Sequence, residues 1–173
     1  IIGFRTPSMK SREARVLDLI STYLSDGPSS KLYKRMVDKN KTALQVQAYN
    51  IGHEDYSMYA ILSLPLGETS LEELTKEIEE EIIKIQENLI SENDYKKLQN
   101  KFENNFVNSN SSVSGIGVSL AQYFTLYGDT NLINSEIDIY RSITREEIRK
   151  TAKKYLNTNQ RLILEYLPEN EKK

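Results

Sequence analysis

The 173-residue chain predicts an α+β fold, a mostly antiparallel sheet backed on one face by helices. Three observations carry that reading. Strand-like apolar runs stand near both ends, "IIGFR" at Ile1 to Arg5 and "RLILEYL" at Arg161 to Leu167. Two runs with a period of two flank a turn-rich segment in the first third, the pattern of a hairpin. Between Ser70 and Leu156 the apolar period is helical almost throughout. A single domain over 1–168 with a charged tail at 169–173 is expected.

The elements follow in order. "IIGFR" ends at Thr6-Pro7, as a strand does. From Ser11 to Leu24 the residues Val16, Leu17, Ile20, Tyr23 and Leu24 recur at helical spacing. Gly27-Pro28 breaks that helix, and Ser29 or Ser30 is placed to cap a second one over Ser30 to Asp38. Leu44, Val46 and Ala48 then alternate with Gln45, Gln47 and Tyr49. After the turn Asn50 to Asp55, the residues Tyr56, Met58, Ala60, Leu62 and Leu64 alternate again. Ser70 and Glu73 have the spacing of a capping box. The helix they open carries Leu71, Leu74, Ile78, Ile82, Ile85 and Leu89. Ser91 begins another, with Tyr95, Leu98, Phe102 and Phe106. "NSNSSVSGIG" interrupts it, and a helical pattern resumes through Leu120, Tyr123, Phe124 and Tyr127 to a stop at Gly128-Asp129. A short helix over Asn131 to Tyr140 follows. Thr144 and Glu147 cap the last helix, with Ile148, Ala152 and Leu156 on its apolar side.

Composition excludes several classes of function. Hydrophobic residues make up 38% and charged residues 28%, with a net charge of −2, so no global field draws the chain to nucleic acid or membrane. No apolar run reaches membrane-spanning length. Without cysteine there is neither disulfide nor thiol chemistry. The chain opens at Ile1 without a methionine and reads as a piece of a longer protein, with any targeting segment upstream.

Each candidate for chemistry has a plainer competitor. "DGPSSK" at Asp26 to Lys31 lacks the second glycine and the Lys-before-hydroxyl order of a phosphate loop, so it reads as a helix-to-helix corner. His53 is the one histidine, and a catalytic zinc site takes three protein ligands; a solvent-facing turn residue is the better reading. Glu72, Glu73, Glu79 and Glu80 fall off the apolar stripe and read as a solvated face. Arg141, Arg145, Arg149 and Lys153 step by four, with Lys150 and Lys154 alongside, and could follow a phosphate backbone. Glu146 and Glu147 dilute that stripe and no aromatic platform is interleaved. It reads as an outer helix face rather than a nucleic-acid site.

"GFRTPS" at Gly3 to Ser8, an amphipathic helix, and "YLSDGPSSKLYKRMV" at Tyr23 to Val37 together resemble the non-catalytic C-terminal domain of the M16 (pitrilysin-like) zinc metallopeptidases. The residues that match the family's Leu-rich G-x-x-S-[RK]-L-[YF] segment are Leu24, Gly27, Ser29, Ser30, Lys31, Leu32 and Tyr33. The likeness continues through the hairpin, the long helices and "NQRLILEYLP" at Asn159 to Pro168. It implies the LuxS/MPP-like α+β half-fold and no cofactor in this domain. Zinc is expected in a partner N-terminal domain, bound by an inverted H-x-x-E-H helix and a distal glutamate. The C-terminal half would close over it around an extended peptide held by strand addition. Bacterial relatives suggest the periplasm or cell envelope.

One departure is specific. Active members receive an Arg and a Tyr, seven residues apart, from the non-zinc half just after this corner, and these stabilise the charged intermediate. Here Val37 and Leu44 stand at those positions, and Lys34 and Arg35 lie on other helix faces. The substrate and closure surface expected from the resemblance is Ser30, Lys31, Tyr33, Val37 and Leu44. A companion chain, as in a dimer, would supply the missing pair; the alternative is a scaffold subunit of the same fold without proteolysis.

Overall fold

The computed structural model describes residues 1–167; Pro168 and the charged tail at 169–173 lie outside the described residues. Four strands form one sheet in the order β2-β3-β1-β4. They are β1 (Ile2–Pro7), β2 (Ala43–Ile51), β3 (Tyr56–Pro65) and β4 (Arg161–Ile163), and every pairing is antiparallel. The helices are α1 (Arg12–Ser25), α2 (Leu71–Glu87), α3 (Glu92–Ser109), α4 (Val113–Gln122), α5 (Leu132–Arg141) and α6 (Arg145–Tyr155).

Helix α1 forms because Ser11 accepts the Ala14 N–H at 3.1 Å and an apolar stripe follows. Val16, Leu17, Ile20 and Leu24 are buried as the spacing predicts. Gly27 ends the turn at φ 86°, a left-handed conformation that L side chains adopt at a cost. Ser30 does not cap the next helix. Its hydroxyl donates back to the Gly27 carbonyl at 2.7 Å and tightens the corner. That helix is a π-helix over Tyr33–Lys39, closed by the Asn40 N–H on the Arg35 carbonyl at 2.8 Å.

The hairpin corrects the reading of the alternation. Ile2, Phe4 and Thr6 lie opposite Ile61, Tyr59 and Ser57 and are buried with them against the helices. Tyr56, Met58, Ala60, Leu62 and Leu64 therefore stand on the other, helix-free face. Both parities of β3 carry apolar residues at its centre, Met58 and Ala60 on one and Tyr59 and Ile61 on the other, so period alone could not say which set turns inward; pairing with β1 decides it. A register shift between Ala43 and Gln45 turns Leu44 outward, 63% exposed, although Val46 and Ala48 are buried.

The helical block departs from the expected pattern in four places. Ser70 accepts the Glu73 N–H without the reciprocal bond, whereas Thr144 and Glu147 make both halves of a capping box. Helix α2 ends at Glu87, and Ile90 rather than Leu89 is buried. The interruption is confined to 110–112, because Ser112 caps α4 and places Gly115 and Gly117 within it. The closing strand stops at Ile163; Leu164 donates one further bond to the Ile1 carbonyl at 2.9 Å, and pairing ends opposite that residue.

One contiguous core joins the inner sheet face to α1, α2 and α6. By contrast, no residue of α4 is buried. Leu17→Ala removes a fully buried side chain and should cost about 2–5 kcal/mol in urea unfolding. Val113→Ala, at a site 89% exposed, should change stability by less than about 0.5 kcal/mol.

Candidate functional surfaces

Corner, sheet face and basic helix are three places where the chain could meet a ligand or partner. At the corner, Lys31 donates to the Asp94 carboxylate of α3 at 2.9 Å and lies 5.1 Å from the centre of the Tyr23 ring. Ser30 is buried, Tyr33 is half-buried, and Val37 packs against the core from its edge. The five residues expected to form one surface are thus dispersed: Ser30 and Val37 turn inward, while Leu44 is exposed on β2. Lys31 instead shares an open groove of about 500 Å³ with Lys34, Arg35, Lys39, Glu81 and Lys84.

Three of those cations, Lys31, Arg35 and Lys84, are paired with acids within the fold. Arg35 donates to Glu81 at 2.9 Å, also pairs with Glu80, and stands 3.9 Å from Glu77. Glu77 further accepts from Asn40 at 2.7 Å and Thr42 at 3.0 Å. The acidic run of α2 is therefore not only a solvated face. Glu77 and Glu81 are buried and fix the π-helix to α2, while Glu79 pairs with Arg161. Arg35 is committed to this cluster. Val37 and Leu44, being apolar, supply no hydrogen bond to an oxyanion.

The helix-free sheet face bears Tyr49, Ile51, Tyr56, Met58, Leu64 and Leu162, all exposed. Arg5 is the cation on this face along β1, and its guanidinium lies 3.8 Å from the centre of the Tyr56 ring. His53 is exposed in the hairpin turn, where its carbonyl accepts the Met9 N–H at 3.0 Å. Among the described residues no group of three or more His, Cys, Asp or Glu is arranged to hold a metal ion.

On the basic stripe, Arg141 pairs with Glu103 at 2.6 Å and Arg145 with Glu92. Lys154 reaches Glu13 at 3.0 Å. These contacts bind α5 and α6 to α3 and α1; Arg149, Lys150 and Lys153 make no ion pair among the described residues. Glu147, hydrogen-bonded by the Arg12 guanidinium at 2.6 Å, has its carboxyl lowered to about 2.

Sequence reasoning missed a buried polar network entirely. Arg15 of α1 grips Glu136 of α5 through two bonds of 2.9 and 3.2 Å. One turn on, Asp18 accepts from Tyr140 of α5 at 2.7 Å and Asn50 of β2 at 2.8 Å. Burial pushes the Asp18 carboxyl up, against the pull of those two donors. Arg15 and Asp18, at i and i+3 among the apolar residues of α1, were the available signal.

The comparisons with known proteins agree with this architecture. A family model described as the Peptidase M16 inactive domain matches residues 1–102, more than half the chain. The chain belongs to the M16 peptidase family. The zinc protease PqqE of Helicobacter pylori is 27% identical over 122 residues, which is 70% of this chain and 28% of that protein. This M16 chain therefore spans little more than a quarter of that curated relative. A solved Helicobacter pylori protease superimposes with a TM-score of 0.86 at 22% identity, covering 92% of this chain and 38% of that one. A structure described as the inactive peptidase domain of a candidate zinc protease from Bordetella parapertussis gives 0.81 at 19% identity. That match covers 96% of this chain and 91% of the Bordetella chain. The periplasmic protease PqqL of Escherichia coli gives 0.69 at 17% identity, over 90% of this chain and 17% of that one.

The Arg12–Glu147 bond ties the M16 domain's first helix to its last. Its contribution to stability is present above the ordinary glutamate range, about 4.3, and is lost as pH falls from there towards about 2. Arg12→Ala should raise the Glu147 carboxyl towards that range in a carbon-detected NMR titration, with the Thr144 N–H still holding it below.

Proposed function

We propose that this M16 inactive domain, residues 1–168, is the non-catalytic C-terminal half of a zinc metallopeptidase. It closes over a zinc-binding half to enclose an extended peptide. The observation that carries the reading is the helix-free face of the sheet. A two-layer domain with one apolar face uncovered is incomplete by itself, and patches of this kind mark interaction surfaces. Tyr49, Ile51, Met58 and Leu64 supply that face. Zinc is the companion half's, and the peptide lies in the chamber between the halves.

Within this reading Leu44 and the accessible edge of Tyr33 add to the closing surface. Lys31, through Asp94, sets the angle of the corner, and Ser30 and Val37 shape it from inside. An Arg/Tyr pair then has to come from a second chain, which makes the working enzyme a two-chain assembly. Placement in the periplasm follows the PqqL neighbour, whose description is periplasmic; no helix of the described residues is long and apolar enough to cross a membrane. A second reading, a scaffold subunit without proteolysis, is favoured by the apolar side chains at Val37 and Leu44. An intact H-x-x-E-H helix in the companion half separates the two.

Two outcomes are expected. The purified chain takes up no stoichiometric zinc by elemental analysis and leaves unfolded peptides intact; chelator-sensitive cleavage by it alone would overturn the reading. Met58→Glu, at a residue already 44% exposed, should leave the urea midpoint in place and weaken association with the zinc-binding half at least about tenfold. That loss corresponds to ~1.4 kcal/mol at a desolvated interface site.

A further inference from the structure

Strand β2 is an edge of the sheet, paired on one side with β3. In an antiparallel strand each residue sends its N–H and C=O to the same side, and alternate residues share a direction. The Ala48 N–H donates to the Ser25 hydroxyl oxygen at 2.7 Å, so Ala48 is one of the residues whose backbone groups point away from β3. Val46 and Asn50, two positions to either side, have the same direction. The Ser25 hydroxyl also stands 3.4 Å from the Ala48 carbonyl oxygen and 3.3 Å from the Ser21 carbonyl in its own helix. One side chain thus occupies the middle hydrogen-bonding position of the outward row.

Rigid elements deliver that side chain. Ser25 is the last residue of α1, directly after Leu24, which is fully buried. The chain then turns at Gly27, so the hydroxyl overhangs the strand edge from a fixed helix end. A groove of about 390 Å³ runs beside it along Ser21, Thr22, Gln47 and Tyr49. The groove reaches the edge of β2, but the central backbone partner there is already engaged.

We propose that Ser25 closes the β2 edge to strand addition. The closure concerns this chain alone. An added strand draws its affinity from unpaired backbone groups in a row. An exposed row of this kind otherwise invites pairing with any second chain, another copy included. Engaging the middle N–H interrupts the row where two neighbouring bonds would have to form together.

The test uses the 173-residue chain, whose extent matches a domain solved as a separate chain. In the parent, amide exchange followed by NMR should be slower at Ala48 than at the other outward amides of β2. Ser25→Ala should speed exchange at Ala48 about fivefold or more, the worth of one hydrogen bond. It should also bring concentration-dependent self-association in sedimentation, or uptake of a fluorescent (Thr-Val)4 peptide. Ser25→Thr, which keeps the hydroxyl, should behave as the parent. A parent Ala48 amide that exchanges as fast as its outward neighbours overturns the closure, and so does a folded Ser25→Ala chain that stays monomeric and takes up no peptide. If Ser25→Ala unfolds, the parent exchange rates decide by themselves. Failure of Met58→Glu to weaken association with the zinc-binding half would count against the chamber reading and leave these results standing.

Discussion

The ion pair between Arg15 and Glu136 is buried on both sides, and the placement of the helical block depends on it. Helix α1 packs on the sheet and also meets α3, which in turn packs on α5. Its apolar stripe packs on β1 and β2, and its polar residues Arg15 and Asp18 turn towards α5. A buried ion pair adds little net stability when complete and costs several kcal/mol when one partner is removed. It acts here as a positioning device. The stacking of Tyr140 on Phe102, with centroids 3.5 Å apart, extends the same attachment from α5 to α3.

A similar logic governs the corner. Glu77 and Glu81 of α2 hold Arg35, Asn40 and Thr42, so polar contacts fix the π-helix and the start of β2. The inner core is apolar and closes against α1, α2 and α6. Stability thus resides in the apolar layer, while the relative orientation of its attachments is set by charged groups with defined geometry. Apolar contact is non-directional; bidentate pairs are not.

How much of this was legible in the sequence depends on the type of signal. Helix α1, with its serine cap and single apolar stripe, was readable because one periodicity dominated it. The two β-runs were readable as strands, but not the inward face of β3, since Met58 and Tyr59 are both apolar enough to serve. Only partner strand β1 breaks that tie. The family motif identified the corner, yet it could not locate Ser30, Lys31, Tyr33, Val37 and Leu44 on a common surface, because a motif records order and not direction. The Arg15–Glu136 pair, 121 residues apart in sequence, left only the polar residues of α1 as a local trace, and nothing local named the partner. Glu77 and Glu81 were hidden for the opposite reason: they sit in an acidic run that opens with the exposed Glu72 and Glu73.

The seven-residue interval between Val37 and Leu44 crosses two irregularities, the π-helix at Tyr33–Lys39 and the register shift between Ala43 and Gln45. Each accommodates a surplus residue relative to regular backbone. Deleting a residue from the first would let the turn relax to an α-helix and rotate the downstream chain by about 100°. Deleting one from the second would exchange the two faces of β2 upstream of Gln45. An insertion or deletion in this interval therefore changes which way a side chain points as well as how far along the chain it lies. Relatives aligned across it by residue count alone can share a spacing and present different groups to the same neighbour.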